Sequence, residues 1–259
     1  MAEDSDVGKI VVTETKPGKA LEATLSVEQS FCSFIDGSSR ACVVGFFREL
    51  ARELEHERSL VDFHMKLVEY DGKKARSFKV QVFYGDEERE GPVDVPPGEC
   101  ISCFAHAVLY PGKKPKVTAG ECVMDEIGGD GHVQCSIDAK ARPGFIITPL
   151  RHVERMTDLD DGELFSLWNT AAKALRSENL PSFRCMILNH GQYRNLPHLH
   201  LKVWVDDGIH RAARNTWPLQ RRELWRWLQE LSSMDVRKCK FFLSKQGCRR
   251  GSRCTFLHR

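Results

Sequence analysis

Apolar and polar residues alternate strictly in the stretch NLPHLHLKVWV, residues 195–205, where Leu199, Leu201 and Val203 separate His198, His200 and Lys202. A period of two belongs to a strand, so the apolar side chains share one face and the polar ones stand in a row on the other. Such a row is either a solvated sheet surface or a site that handles phosphate. Further strands are predicted at HVQCSID, GFIITPL and RCMILNH. FHMKLVEYDGKKARSFKVQVFYG reads as a hairpin, two alternating runs around Asp71 and Gly72. Elsewhere the helical period takes over. VEQSFCSFI and ACVVGFFRELARELEHER read as helices, the second with Val43, Phe46, Phe47, Leu50 and Leu54 near one face. Another helix runs from about Leu159 to Ser177, with Asp160 and Asp161 as favourable first-turn acids. In PLQRRELWRWLQELSS, Pro218 suits a first turn, and Leu219, Leu224, Trp227 and Leu231 can pack on one side.

The charged, Pro/Gly-rich stretch GDEEREGPVDVPPGE reads as a linker. The chain then divides into a flexible N-terminus (1–25), an α+β segment (26–95), a β-rich domain (96–210), a connecting helix (211–235) and a basic tail (236–259). There are no internal sequence repeats. The composition, 41% hydrophobic and 29% charged, is that of a soluble globular protein, and no apolar run approaches the ~18–20 residues of a membrane span. The start, MAEDSDVGK, is neither a signal nor a transit peptide, so the expected location is the nucleus or cytoplasm. Ten cysteines in a reducing compartment read better as metal ligands than as a disulfide scaffold. The net charge of +2 conceals a tail with eight basic residues and no acid, against a body with 36 acidic and 30 basic ones. That polarity suits a tail that touches a polyanion.

The tail spaces Cys239, Cys248, Cys254 and His258 as C-x8-C-x5-C-x3-H. Three thiolates and an imidazole complete a closed tetrahedral zinc site, which a segment too short to fold on core burial needs. Residues 237–259 resemble the CCCH zinc-finger family, including Gly251 between the second and third ligands. The resemblance implies binding of single-stranded RNA, with Phe242 and Phe256 at the usual stacking positions and Arg250 where an aromatic often stands. The blander reading is a zinc-stapled knob that contacts protein.

Pro149 to His152 form a Pro-x-x-His segment after a strand, Asn189 and Gly191 an Asn-x-Gly segment, and His198 and His200 two places of a His-φ-His-φ-His strand. With these in register, residues 98–205 resemble the histidine triad superfamily, with Lys202 in place of the third histidine. The resemblance implies an α+β fold, a histidine triad-like antiparallel sheet with helices. It also implies nucleotidyl hydrolysis or transfer, with His200 as the nucleophile and Asn189, Gly191 and Lys202 about the phosphate. A neutral imidazole is a competent nucleophile near pH 7, whereas an ordinary lysine, with pKa near ~10.4, stays charged and only donates. The CwfJ-like splicing-factor branch, with its two-histidine version and RNA-associated role, comes nearest to this combination. Cys100 and Cys103 form a C-x2-C pair that many histidine triad proteins carry, and the resemblance implies a second zinc completed by His152 and His198. The alternative is two ordinary buried cysteines.

Together these readings describe an RNA-associated histidine triad-like protein delivered to single-stranded RNA by its finger. Its substrate would be a nucleotide or a nucleotidylated RNA end. The rival is a non-catalytic ribonucleoprotein or protein-interaction adaptor with a degenerate triad.

Overall fold

Among the described residues, alternation and turn chemistry produce eight strands, and helical periodicity five helices. In chain order these are β1 (Ile10–Lys16), β2 (Ala20–Leu25), α1 (Phe31–Gly37), α2 (Arg40–Arg52), β3 (Phe63–Asp71) and β4 (Arg76–Tyr84), then β5 (Val133–Ile137), β6 (Gly144–Pro149), α3 (Asp161–Ser177), β7 (Cys185–His190), β8 (Leu201–Trp204), α4 (Asp207–Arg214) and α5 (Leu219–Asp235). The structure is a computed structural model and describes residues 10–25, 28–73, 75–85, 91–92, 100–127 and 131–235. Among these, no helix is long and apolar enough to cross a membrane.

All eight strands join one antiparallel sheet in the order β1-β2-β4-β3-β7-β8-β6-β5. The fold is therefore the α+β, histidine triad-like sheet with helices that the sequence predicts. Residues 10–25, expected to be loose, form the β1/β2 hairpin instead. β1 is an edge strand with most of its residues exposed, so its apolar period is weak, and main-chain pairing with β2 holds it.

The sheet is built from two halves of like topology. β1 and β2, helices, then β3 and β4 occupy the order β1-β2-β4-β3; β5 and β6, a helix, then β7 and β8 occupy β5-β6-β8-β7. The halves meet where β3 pairs with β7, Phe63–Leu67 running against Met186–His190. Across this seam one cross-strand row passes Thr13, Glu22, Gln81, Lys66, Ile187, Lys202, Ile146 and Ser136. The repeat lies in backbone topology and has no counterpart in the sequence.

Helices cover one face of the sheet. Ser30 and Ser39 cap α1 and α2 by accepting from the Ser33 and Cys42 amides. Asp160 and Glu163 close a capping box at α3, and the Arg151 guanidinium grips the Glu163 carboxylate at 2.6 and 2.9 Å. Beneath them the core is aromatic. Phe47 stacks on Trp168 at 3.9 Å, and Phe31 meets Phe78 and Trp168 edge-on.

On α5 the buried stripe is Trp225, Leu228 and Leu231, while Leu219 is exposed and Leu224 and Trp227 are only partly buried. The helix is rotated from the predicted face because Trp225 and the preceding Trp217 close around His210 of α4, at 4.8 and 5.5 Å between ring centroids. His210 is fully buried, neither ring nitrogen has a hydrogen-bond partner among the described residues, and burial with the nearby Arg214 holds its pKa down at about 4. A histidine so depressed stabilises the fold fully above the unfolded value of about 6.5 and loses that contribution as pH falls towards 4. Urea unfolding at pH 7 and pH 4.5 should therefore show a drop in midpoint on acidification, and His210→Leu should reduce that drop.

Candidate active site and metal centre

The chain enters β8 through His198, Leu199 and His200, anchored where the Leu199 amide donates to the Val153 carbonyl at 2.7 Å. Leu199, Leu201 and Val203 are buried on the helical side, as the alternation predicts. The polar row opposite is also covered, with His198, His200 and Lys202 only 0%, 6% and 8% exposed. It is not a solvated sheet surface. Ile101, Ser102, Leu109 and Ala119 wall a cavity of about 220 Å³ over it, and His200 and Lys202 line that cavity.

His200 Nδ1 lies 2.9 Å from the carbonyl oxygen of His198. A carbonyl only accepts, so Nδ1 carries the proton and Nε2 keeps its lone pair. Burial, reinforced by the Lys202 charge, lowers the His200 pKa to about 4, so the ring is neutral at pH 7. Lys202 Nζ donates to Asn195 Oδ1 at 3.0 Å. Burial, and then the Arg142 charge, bring the Lys202 pKa down to about 8. Lys202 is therefore not the ordinary lysine assumed from sequence: it sits within reach of proton exchange near neutral pH.

Other cavity residues were not singled out by the sequence reading. Arg142 donates twice to Asp138 Oδ2, at 2.6 and 2.9 Å, and lies 4.6 Å over the Trp204 ring. Asp138 also accepts the Lys140 amide at 2.6 Å. The walls combine apolar Ile137, Ile146 and Leu196 with polar Gln134, Ser136 and Thr148. That mixture suits a small ligand with an apolar body and a few polar handles. Only Asn195 could have been noticed earlier, since it opens the alternating stretch seven residues before Lys202.

Asn189 and Gly191 stand apart from this cavity. Asn189 Oδ1 accepts from His64 Nδ1 at 2.8 Å and its amide donates to the Tyr193 carbonyl at 2.8 Å. His64, one of the histidines without a motif, is thus tied to the triad strand's neighbour. Gly191 has φ +53°, and a Cβ there would lie 1.8 Å from Asp62 Oδ1 and 2.7 Å from the Val61 carbonyl oxygen. The close approach that requires glycine is to the N-terminal half of the sheet.

Cys100, Cys103, His152 and His198 converge, with ligand atoms all within 4.8 Å of one another. Cys103 Sγ lies 3.1 Å from His152 Nδ1 and 3.2 Å from His198 Nδ1, and Cys100 Sγ 3.6 Å from His198 Nδ1. The 49-residue separation of Cys103 and His152 does not keep the four apart. Burial and the adjacent Cys100 push the Cys103 thiol up to about 12, and burial with His152 holds His198 down near 4. Two imidazoles and two sulfurs form a set a divalent cation would complete. The four residues can hold a metal ion. Because His198 offers Nδ1 to this cluster and its main-chain oxygen to His200, one residue ties the metal ligands to the nucleophile candidate. The finger residues Cys239, Cys248, Cys254 and His258, with Phe242, Arg250 and Phe256, lie outside the described residues.

The chain matches no protein-family model and no curated protein by sequence. Solved structures do resemble it. An ADP-glucose phosphorylase from Arabidopsis thaliana, with bound ADP-glucose, has a TM-score of 0.51 at 12% identity, covering 86% of this chain and 82% of that one. A uridylyltransferase has a TM-score of 0.49 at 13% identity, over 86% and 85% of the two chains. A GALT-like protein from Arabidopsis thaliana has 0.48 at 12%, over 86% and 83%. At these identities the likeness to the phosphorylase is one of fold.

The metal reading predicts that Cys100→Ser lowers the metal bound by purified protein by one equivalent per chain. Elemental analysis beside the parent chain measures this directly.

Proposed function

We propose that the protein is a member of the histidine triad superfamily that hydrolyses or transfers nucleotidyl groups through His200. Its substrate would be a nucleotide or a nucleotidylated RNA end, and the C-terminal CCCH finger would bring it to single-stranded RNA. The observation that carries this reading is the His198 carbonyl fixing the His200 tautomer, which leaves Nε2 as a neutral nucleophile in a covered cavity.

In the first step His200 Nε2 would attack the α-phosphorus, forming a P–N bond as the P–O bond to the leaving group breaks. The leaving oxygen departs with the bonding electron pair. The ring, protonated on Nδ1 and phosphorylated on Nε2, is cationic, and the His198 carbonyl supports it. Water or an acceptor hydroxyl then attacks the same phosphorus, the P–N bond breaks with its electron pair returning to Nε2, and the proton of the oxygen nucleophile passes to solvent water. Lys202, held by Asn195 close to His200, would neutralise phosphoryl oxygens in both steps.

Zinc is the metal that two thiolates and two imidazoles favour, and a four-ligand set leaves no open position, so its role would be to set His198 and not to activate water. The second zinc would belong to Cys239, Cys248, Cys254 and His258. A nuclear or cytoplasmic setting accords with these cysteine sites.

A binding-only reading has one observation in its favour. Both ends of the Asn189 amide are taken by protein groups, so the Asn-x-Gly segment is not open to a phosphate. Turnover decides between the readings. A nucleoside phosphoramidate, a dinucleoside polyphosphate and an adenylylated or capped RNA should be assayed with the full chain. His200→Ala should lower turnover by at least ~10³-fold, on the scale of losing a covalent catalyst; an unchanged rate would leave only the adaptor role.

The pH profile tests Lys202 separately. A cationic Lys202 is needed to neutralise phosphate, and its pKa lies at about 8. kcat/KM should thus hold through neutrality and fall as pH rises past about 8, and Lys202→Met should be slower and lack that alkaline limb.

A further inference from the structure

On the face of the sheet opposite the helices a second concavity, of about 870 Å³, spans the seam between the two halves. It is basic. Lys16, Lys19, Lys66, Arg142 and Lys202 line it, and among the described residues its lining carries no carboxylate. This contrasts with the body as a whole, in which acids outnumber bases. It is also aromatic. Phe83 is 41% exposed, large for a phenylalanine in a strand, and Trp204 lines the same groove with the Arg142 guanidinium 4.6 Å over its ring. Arg142, Asn195 and Lys202 line both this groove and the His200 cavity, so the two spaces adjoin. By strand order Phe83 on β4 is three strands from β8, about 14 Å at the usual strand spacing.

We propose that this groove binds single-stranded nucleic acid and leads its end into the His200 cavity. Cations spaced along a groove meet successive phosphates, and an exposed ring such as Phe83 gives an unpaired base a stacking surface without demanding a sequence. A duplex keeps its bases stacked on one another and has none to lay on Phe83. The groove is larger than the cavity itself, so the space beyond His200 suits the remainder of a strand whose terminal nucleotide reacts. The inference extends the reading of His200 as the reacting group, and it supplies a nucleic-acid surface on the body that is separate from the finger.

The test uses the full chain carrying Cys239→Ser, which removes a finger ligand, and fluorescence anisotropy with a fluorescein-labelled 12-nucleotide oligouridylate. Lys16→Glu combined with Lys66→Glu should weaken binding at least tenfold and flatten the salt dependence by about 0.7 per lost phosphate contact. Phe83→Ala should weaken it about tenfold with little change in salt slope. A 12-base-pair duplex should compete poorly. Unchanged affinity in both variants, with parental circular dichroism and melting, would overturn the proposal, as would a duplex that competes as well as the single strand.

Turnover of a dinucleoside polyphosphate, too small to need the groove, should be the same in these variants as in the parent. Turnover with groove-independent binding would discard the groove and keep the reading of His200. Groove-dependent binding without turnover would do the reverse.

Discussion

The main-chain ladder between Phe63–Leu67 of β3 and Met186–His190 of β7 is the constraint on which the rest of the molecule depends. Without it there would be two small sheets, each with an open inner edge and half a hydrophobic face. With it, one helical layer covers both halves, and the Phe31–Phe78–Trp168 cluster joins α1, β4 and α3 into a single core. The ladder also sets positions on the opposite face. It places Lys66 beside Ile187 and Ile187 beside Lys202, and it presses Gly191 against Asp62 so closely that no side chain fits.

Chemistry near β8 follows from how that face is covered. An exposed row of two histidines and a lysine would titrate as in water. Covered by Ile101, Ser102 and their neighbours, His200 is kept neutral, and Lys202 is brought close to losing its proton. Burial of a cation is costly, and part of the compensation here is the Asn195 oxygen at 3.0 Å. His198 links two demands at once. Its ring faces the sulfurs of Cys100 and Cys103 while its backbone oxygen fixes the His200 tautomer. A change in the cluster would therefore reach His200 through the His198 carbonyl.

Much of this was legible in the sequence because it is local. The period-two stretch located β8 and sorted its faces, and the capping acids of α3 marked where that helix begins. The C-x2-C pair was legible as a chemical type, although its partners 49 and more residues away came from a family resemblance and not from spacing. What escaped was non-local or weakly patterned. β1 is held by pairing and not by burial, so its sequence carries little strand signal. The buried face of α5 depends on Trp217 and His210, which lie outside that helix. Asp62 against Gly191, His64 on Asn189 and the depressed pKa of Lys202 all arise from contacts or burial that no local period encodes. The like topology of the halves has no counterpart in a repeat of the sequence.

That relation has a consequence of its own. In the row across the seam, Gln81 of the first half and Lys202 of the second each stand one strand out from the Lys66–Ile187 pair. On the same face of the first half Lys79 meets a carboxylate, Glu22, at 2.8 Å, whereas Lys202 meets a neutral amide oxygen beneath a cover. One backbone plan thus appears twice in one chain, once furnished with imidazoles beneath a roof and once closed by an ion pair. What the sheet supplies, both halves have; the cover built by Ile101, Ser102, Leu109 and Ala119 belongs to the second.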